Sequence, residues 1–381
     1  MINQPNSQST VEEEVEQQAS ADASDAQQEP VGDVVIRERK KKRKRKKKQR
    51  KSKRRFPLAA KVILIIVAVL AVIGLGFCAF LQYNIHKGNE QLHVEHPDVA
   101  ETGTTVNHDG HTYKYNNNVV AILVLGKDDE SRYGTNRSCT DANMLVTLDT
   151  ETKNLNILAI QRDAMVDVDL YEDGQYTYTA EHQLAVAYGV DVSDDDAAAH
   201  NSMKSVSKLL YNLPVNRYFT LEMNAVAELS TAVGGVMVEA LDVYPGADFE
   251  VGDTVLLQGQ SALRYVQYRD INIDKSAQDR QARQMQFVKA FIEKLRTLDA
   301  GTLLDLYNTV QQTTYTNLEL SDITYLISVF LDGKSATTSF TAIEGDTLLE
   351  TDDDGVEREH VYLYEDSVMD AALAAFYTLE E

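Results

Sequence analysis

The pattern of apolar and polar positions divides the chain into a membrane-length segment and a longer region of mixed elements. Residues 62–81 form a run of twenty residues without a charge. At ~1.5 Å per residue, a helix of that length spans about 30 Å, the hydrocarbon thickness of a bilayer. Residues 1–36 are polar and acidic with few large apolar groups, a composition typical of disordered tails. The pattern therefore predicts one transmembrane helix ahead of the larger region.

Apolar runs of strand length begin after a polar stretch at 82–117, which we interpret as an extracellular stalk. The run at 119–125 is continuously apolar and stops at Gly126, which is typical of a buried strand. Further strands are predicted at 144–148, 155–160 and 236–238, and the polar turn 149–154 predicts a hairpin between the first two.

Helical periodicity follows in the rest of the chain. The predicted helices are 180–188, 196–211, 224–233, 260–268, 277–297, 302–311, 320–332 and 366–378. Strands mixed with this many helices indicate a single α/β domain, to which we assign residues 118–381.

Charge is distributed very unevenly along the chain. The overall net charge is -22, yet residues 37–55 hold 16 of the 37 basic residues. Basic residues beside a first transmembrane helix stay in the cytoplasm, so the polybasic juxtamembrane segment 37–61 predicts an amino terminus inside and the α/β domain outside. In this position contact with anionic membrane lipid is a better interpretation of the block than a nucleic-acid or nuclear-localisation patch.

The part of the chain beyond the apolar run is strongly acidic. From residue 82 onward there are 20 basic and 50 acidic residues, a net charge near -30. So acidic a domain repels nucleic acid, which excludes nucleic acid as a partner bound through overall charge. Any phosphate group bound there must be recognised by a local group of arginines. Cys139 is the one cysteine in this part, which excludes an intrachain disulfide.

Acids and arginines cluster where the predicted strands end. Asp128 directly follows the first strand, Arg137 and Asp141 precede the second, and Arg162 and Asp163 follow the third. Ligands of α/β sheets usually bind at strand ends. Each cluster alone is more often a solvated loop than a site.

A fourth cluster strengthens the case for a site. Four arginines (Arg264, Arg269, Arg280 and Arg283) fall within twenty residues of a domain that has few basic residues. Arg280 and Gln284 are four apart on the predicted helix 277–297 and share a face, with Arg283 close by. Arginine binds phosphate oxygens bidentately, and Mg²⁺ bridges carboxylates to phosphates. From composition alone, it is equally possible that these arginines form ion pairs with the many acidic residues on the surface.

The sequence motifs resemble those of the LytR-CpsA-Psr family of membrane-anchored cell-wall enzymes of Gram-positive bacteria. The matching segments are V-A-I-L-V-L-G-K-D at 120–128, T-D-A-N-M-L-V-T-L-D at 140–149, L-A-I-Q-R-D at 158–163, A-L-R-Y-V-Q-Y-R-D at 262–270 and D-R-Q-A-R-Q at 279–284. They occur in the order of the family and cover nearly all of the predicted domain. The resemblance implies an α/β/α fold with a central mixed sheet flanked by helices.

The resemblance also implies a reaction and a set of site residues. Family members move a glycopolymer from an undecaprenyl pyrophosphate carrier to peptidoglycan and leave a phosphodiester. By analogy, Asp128 and Asp141 hold Mg²⁺. The predicted pyrophosphate-binding set is Arg137, Arg162, Arg269, Arg280, Arg283 and Gln284. Arg162, Asp163 and Arg269 are the predicted catalytic residues, with Asp163 either orienting Arg162 or helping to deprotonate the acceptor.

Two departures from the family pattern leave other functions open. Cys139 stands where an arginine is usual, with Arg137 the nearest arginine, and Gln267 replaces the first arginine of the segment that contains Arg269. The alternatives are a non-catalytic protein that binds polyprenyl phosphate and a phosphatase that hydrolyses the lipid pyrophosphate.

Overall fold

The computed structural model describes residues 58–93, 104–127, 138–270, 276–311, 313–333, 336–352 and 355–380, with side chains from residue 67 onward. The first element is helix α1 (Leu58–Leu92), thirty-five residues long. In the described part of the chain, one segment of this helix, Val67–Leu92, is long and apolar enough to cross a membrane, with a mean hydropathy of 1.8. Its apolar side chains are largely exposed, as expected of a helix that contacts lipid. In a core helix of a soluble protein such side chains would be buried.

The centre of the domain is a six-stranded mixed sheet. Its strands are β3 (Val119–Lys127), β4 (Thr140–Asp149), β5 (Leu155–Ile160), β8 (Arg217–Glu222), β11 (Thr314–Thr316) and β12 (Thr338–Ala342). Their order across the sheet is β11-β8-β3-β4-β5-β12. The β3, β4 and β5 neighbours are antiparallel, whereas β8 joins β3 and β12 joins β5 in parallel. The hairpin predicted around 149–154 is confirmed.

Both faces of the sheet are covered, which explains the continuous apolar runs of its central strands. On one face Leu123, Leu145 and Leu158 join a core that also contains residues of the helices α2 (Val186–Gly189), α3 (Asp195–Leu209) and α9 (Glu365–Phe376). On the other face Val146, Leu148 and Leu155 pack against helix α8 (Leu320–Asp332). The predicted α/β/α class is confirmed.

The remaining helices form a second core beside the sheet. They are α4 (Ala225–Ala232), α5 (Gln260–Gln267), α6 (Ser276–Leu295) and α7 (Ala300–Val310), which pack around Tyr265, Phe287 and Leu306. The helices predicted from the sequence lie within a few residues of these bounds, except for one.

That exception is the helix predicted at 180–188. Residues 180–183 belong instead to β7 (Gln175–Gln183), which pairs with β6 (Met165–Glu172) in an antiparallel hairpin. The prediction was wrong there because pairing with a neighbouring strand outweighs a local preference for helix.

Three smaller sheets complete the domain. They are β1 (Thr105–His108) with β2 (His111–Tyr115) and β15 (Tyr377–Leu379), β9 (Val236–Glu239) with β10 (Thr254–Leu257), and β13 (Gly345–Thr351) with β14 (Glu357–Leu363). β1 and β2 fall within the predicted stalk at 82–117, so part of that stretch belongs to the folded domain.

The carboxyl end of α1 also packs on the domain instead of forming a stalk. A side chain at Gly88 would collide with the backbone of Ser321 in α8, so the two helices approach closely because this position is glycine. Lys87 Nζ lies 2.6 Å from Glu319 Oε2, and Ser321 Oγ donates to Gln91 Oε1 at 2.8 Å. The apolar helix is thus continuous with a segment fixed to the domain.

Candidate functional site

The strand ends that border the three predicted clusters lie together because the sheet runs antiparallel at its centre. Gly126 near the end of β3 pairs with Ala142 near the start of β4, and Asn143 pairs with Ile160 at the end of β5. Asp141 is the second residue of β4, and Arg162 lies two residues beyond β5. Asp141 and Arg162 therefore lie at the same end of the sheet.

Asp141 is the centre of this arrangement and contacts two arginines. Arg162 Nη1 donates a hydrogen bond to Oδ1, and Arg280 Nη1 lies 3.4 Å from Oδ2. All three side chains are buried, with exposed fractions between 5% and 8%. Asp141 thus brings two guanidiniums together in a domain that is otherwise acidic, and clustered guanidiniums suit an anionic ligand.

Helix α6 supplies Arg280 from outside the sheet, with Gln284 one turn further on the same face. Burial is the main cause that lowers the pKa of the Arg280 guanidinium below its ordinary value; Asp141 opposes this shift, and the nearby charges of Arg162 and Arg269 add to it. The guanidinium stays charged, because arginine does not deprotonate in proteins. Arg162 and Arg269 thus lie close enough to Arg280 for their charges to act on it.

Asp163 lies beside the arginine that precedes it. Its Oδ1 is 3.3 Å from Arg162 Nε, and both side chains are buried. The backbone of the loop is also fixed, since Ala185 N donates to Arg162 O at 2.9 Å. This geometry favours the orienting role of Asp163 over a role as base.

Arg269 lies two residues beyond helix α5, and its charge is close enough to act on Arg280. Its Nε donates to Ser276 Oγ at 3.0 Å, and its Nη2 donates to Glu359 Oε2 at 2.8 Å. Glu359 lies on β14, ninety residues away in sequence. The sequence carried no signal for this contact, because it arises from the placement of the β13–β14 hairpin.

A small cavity separates these groups. Its volume is about 20 Å³, room for about one water, and it is lined among others by Asp141, Asn143, Arg162, Asp163, Arg280 and Gln284. Asn143 Oδ1 accepts from Thr140 Oγ1 at 2.8 Å, while its buried Nδ2 has no hydrogen-bond partner among the described residues. Asn143 is a polar group at the site that the sequence analysis did not single out.

Arg283 does not take the position that the sequence predicted for it. Its Nε donates to Tyr265 O at 3.0 Å, and its two other nitrogens bond Asp242 and the carbonyl oxygen of Tyr268. The side chain is fully buried against the rings of Tyr265 and Tyr268 rather than at the cavity. The placement corrects the expectation that Arg283 joins Arg280, because the two side chains leave α6 in different directions. Arg264, also part of the sequence cluster, is exposed.

Asp128 and Arg137 lie outside the described residues, so their predicted roles stay predictions. The described residues contain no group of three or more His, Cys, Asp or Glu arranged to hold a metal ion. Asp141 provides the carboxylate oxygens that Mg²⁺ prefers, so the donor chemistry at this end of the sheet fits the ion. Cys139 is buried at the start of β4.

The chain is similar to known proteins over most of its length. The family model LytR_cpsA_psr matches residues 82–374. A relative from Enterococcus faecalis, the polyisoprenyl-teichoic acid–peptidoglycan teichoic acid transferase TagU, is 27% identical over 307 residues, which cover 78% of this chain and 89% of that protein.

Two solved structures share the fold. The crystal structure of Bacillus subtilis TagV matches with a TM-score of 0.54 at 19% identity, covering 68% of this chain and 95% of that one. TagT bound to LI-WTA matches with a TM-score of 0.50 at 21% identity, covering 68% and 89%. Since the family model spans well over half of the sequence and includes the strand ends and α6, the resemblance noted from the motifs is confirmed: the chain belongs to the LytR_cpsA_psr family.

Proposed function

We propose that this protein is a membrane-anchored transferase of cell-wall assembly. It moves a glycopolymer from an undecaprenyl pyrophosphate carrier to a hydroxyl of peptidoglycan. The observation that carries the proposal is the contact of buried Arg162 and Arg280 with Asp141, with the charge of Arg269 nearby, in a domain that is otherwise acidic. The names of family relatives such as TagU, a teichoic acid transferase, support the polymer class and the acceptor.

In the proposed reaction the acceptor hydroxyl oxygen attacks the phosphorus that carries the glycopolymer. A new P–O bond forms, the bond from that phosphorus to the bridging oxygen breaks, and the bridging oxygen leaves with its electron pair on the prenyl phosphate. The hydroxyl proton passes to solvent. Such a transfer needs mostly positioning and charge stabilisation, which fixed arginines supply without reorganising.

The residues divide these roles by their contacts. Arg162 and Arg280 face the cavity across Asp141 and bind the phosphate oxygens. Asp163 orients Arg162, and Gln284 adds an amide to the cavity wall. Arg269, whose charge acts on Arg280, adds a third guanidinium for the pyrophosphate.

A Mg²⁺ ion belongs to this proposal through Asp141 and, outside the described residues, Asp128. When bound, it supplies positive charge that neutralises the pyrophosphate. Asp141 would then serve as a metal ligand as well as a partner of the arginines.

Binding without transfer is the second candidate. Both oxygens of Asp141 are engaged by arginines, and Gln267 replaces a cation that the family usually has. A protein with these features holds a polyprenyl phosphate and does not transfer the polymer.

The deciding experiment supplies the full-length protein in detergent with a lipid-pyrophosphate glycan and peptidoglycan, with and without Mg²⁺. Metal-dependent ligation that is lost in Asp141→Ala and Arg280→Ala is the expected result. The matched control is Arg264→Ala, which removes an exposed arginine of the same segment and leaves ligation intact. Release of polymer without ligation identifies a phosphatase. Binding without turnover, unchanged in Asp141→Ala, contradicts the transferase.

A further inference from the structure

Glu359 is a carboxylate that the fold places on an arginine of the candidate site. Its Oε2 accepts a hydrogen bond from Arg269 Nη2 at 2.8 Å, and both side chains are about four-fifths buried. With the Nε contact to Ser276, these bonds occupy one edge of the guanidinium. A phosphate that binds Arg269 therefore meets a carboxylate already bound there.

The backbone around Glu359 is fixed to the site itself. Val361 N donates to Asp163 O at 2.9 Å, and Gln183 Nε2 donates to Glu359 O at 2.8 Å. The next residue, His360, contacts Glu350 and Asp352, so strand β14 is also held from the outer side. The carboxylate of Glu359 is thus positioned by a rigid strand and is not a loose surface group.

The charges of the described site residues are balanced. Three guanidiniums, those of Arg162, Arg269 and Arg280, face three carboxylates. Two of the carboxylates, Asp141 and Asp163, lie beside Arg162 at the cavity, and Glu359 supplies the third. Without Glu359 this group carries one extra positive charge.

We propose that Glu359 competes with phosphate for Arg269 and so lowers the affinity of the arginine group for phosphate groups. The inference rests on the proposed function, in which Arg269 binds the lipid pyrophosphate. With one extra positive charge the site would hold the prenyl phosphate product more tightly, whereas a built-in competing carboxylate speeds its release.

The test substitutes Glu359→Gln in the full-length protein in detergent. Glutamine keeps an acceptor oxygen for Arg269 Nη2 and nearly the same volume, and it removes the charge. Binding of inorganic pyrophosphate is measured by calorimetry with a chelator present, so that no divalent metal contributes. We expect roughly tenfold tighter binding than in the wild type, the size of one nearby charge in a partly solvated site. Glu357→Gln is the control, because it makes the same charge change at an exposed position of the same strand.

Each result decides between the alternatives. Unchanged or weaker binding in Glu359→Gln means that Glu359 only positions Arg269, which overturns the proposal. An equal gain in affinity in Glu357→Gln would show that the effect comes from the overall charge of the domain, which also overturns the proposal. Loss of the gain when Arg280→Ala is added locates it at the arginine group, as expected. If neither protein binds pyrophosphate even when Mg²⁺ replaces the chelator, the phosphate site itself is wrong, and the proposed function falls together with this inference. Binding that appears only with Mg²⁺ and is equal in the two proteins overturns the inference and leaves the proposed function standing.

Discussion

Arg280 and Arg283 are three residues apart on α6, both are buried, and the structure gives them different surroundings. Arg280 faces Asp141 and the small cavity, so its guanidinium is not fully used by contacts within the fold. Arg283 bonds two backbone carbonyls and Asp242, so its charge is used within the fold. Both residues are arginines of the same helix. The elements that pack against each side of the helix decide which of them faces the cavity.

The first prediction is that Arg283→Met destabilises the fold. The substitution leaves the carbonyl oxygens of Tyr265 and Tyr268 without their donor and Asp242 without its partner, a cost of about 3 kcal/mol in unfolding free energy. Chemical denaturation measures it. Arg264→Met is the control, since Arg264 is exposed. A wild-type stability in Arg283→Met, together with weaker pyrophosphate binding, would return Arg283 to the phosphate-binding set.

At the scale of elements, the contact between α1 and α8 depends on Gly88. Nothing but hydrogen fits between the α1 backbone and Ser321, and the neighbouring polar contacts of Lys87 and Gln91 need the same close approach. The contact makes the end of the apolar helix part of the domain.

We therefore expect Gly88→Leu to separate α1 from α8. Hydrogen exchange of the amides in 84–92 should become faster because the segment loses its packing partner. Gly76→Leu is the matched control, since a side chain at that position of α1 meets no atom within 4 Å. Equal exchange in the two variants would show that the close approach does not hold α1 on the domain.

A second element-scale prediction concerns the contact of the β6–β7 hairpin with α3. Asp169 on β6 is fully buried. Burial opposes its ionisation, but hydrogen bonds from Lys204, Lys208 and Thr179 outweigh burial and lower the pKa of Asp169 to about 2. A carboxyl whose pKa is lower in the folded state stabilises the fold above its unfolded pKa of about 4.

This stabilisation is lost as the pH falls from about 4 to about 2, because the carboxyl becomes protonated. Its size is about 2 kcal/mol. In Asp169→Asn we expect lower stability at neutral pH, and a difference from the wild type that shrinks over this pH range. Unfolding midpoints at several pH values measure it, with the exposed Asp167→Asn on the same strand as control. A constant difference at every pH would contradict the assignment.

At the scale of the whole molecule, the arginine group and the α1 contact lie at opposite ends of the central sheet. Gln91 of α1 borders Val119 at the start of β3, whereas the arginines gather where β3 ends, at Lys127. At ~3.3 Å per residue, the length of β3 separates them by about 26 Å. In the proposed function the lipid carrier reaches from the bilayer to this site, so the placement of α1 on the domain sets the distance that the carrier has to cover.

We predict that the basic segment sets the orientation of the apolar helix in the membrane. Replacing the Lys and Arg residues of 37–55 by Gln should lower the fraction of molecules with the α/β domain outside, because basic residues hold the flanking segment in the cytoplasm. Protease accessibility of the domain in intact cells without their wall measures this fraction. Neutralising the acids of 1–36 is the control and leaves the orientation unchanged, since acids contribute little to it. An unchanged fraction in the variant without the basic residues of 37–55 would contradict the prediction that these residues set the orientation.

The sequence alone determined the apolar helix, the central strands β3 to β5 and most helix bounds, because these follow from local periodicity and turn residues. It also determined the family, whose motifs lie in the order of the fold. Tertiary structure decided that residues 180–183 form a strand, that Arg283 is a structural residue and that Glu359 reaches Arg269. The physical reason is the range of the forces involved. Apolar periodicity acts within one element, whereas the partner of a buried charge depends on which distant elements pack around it.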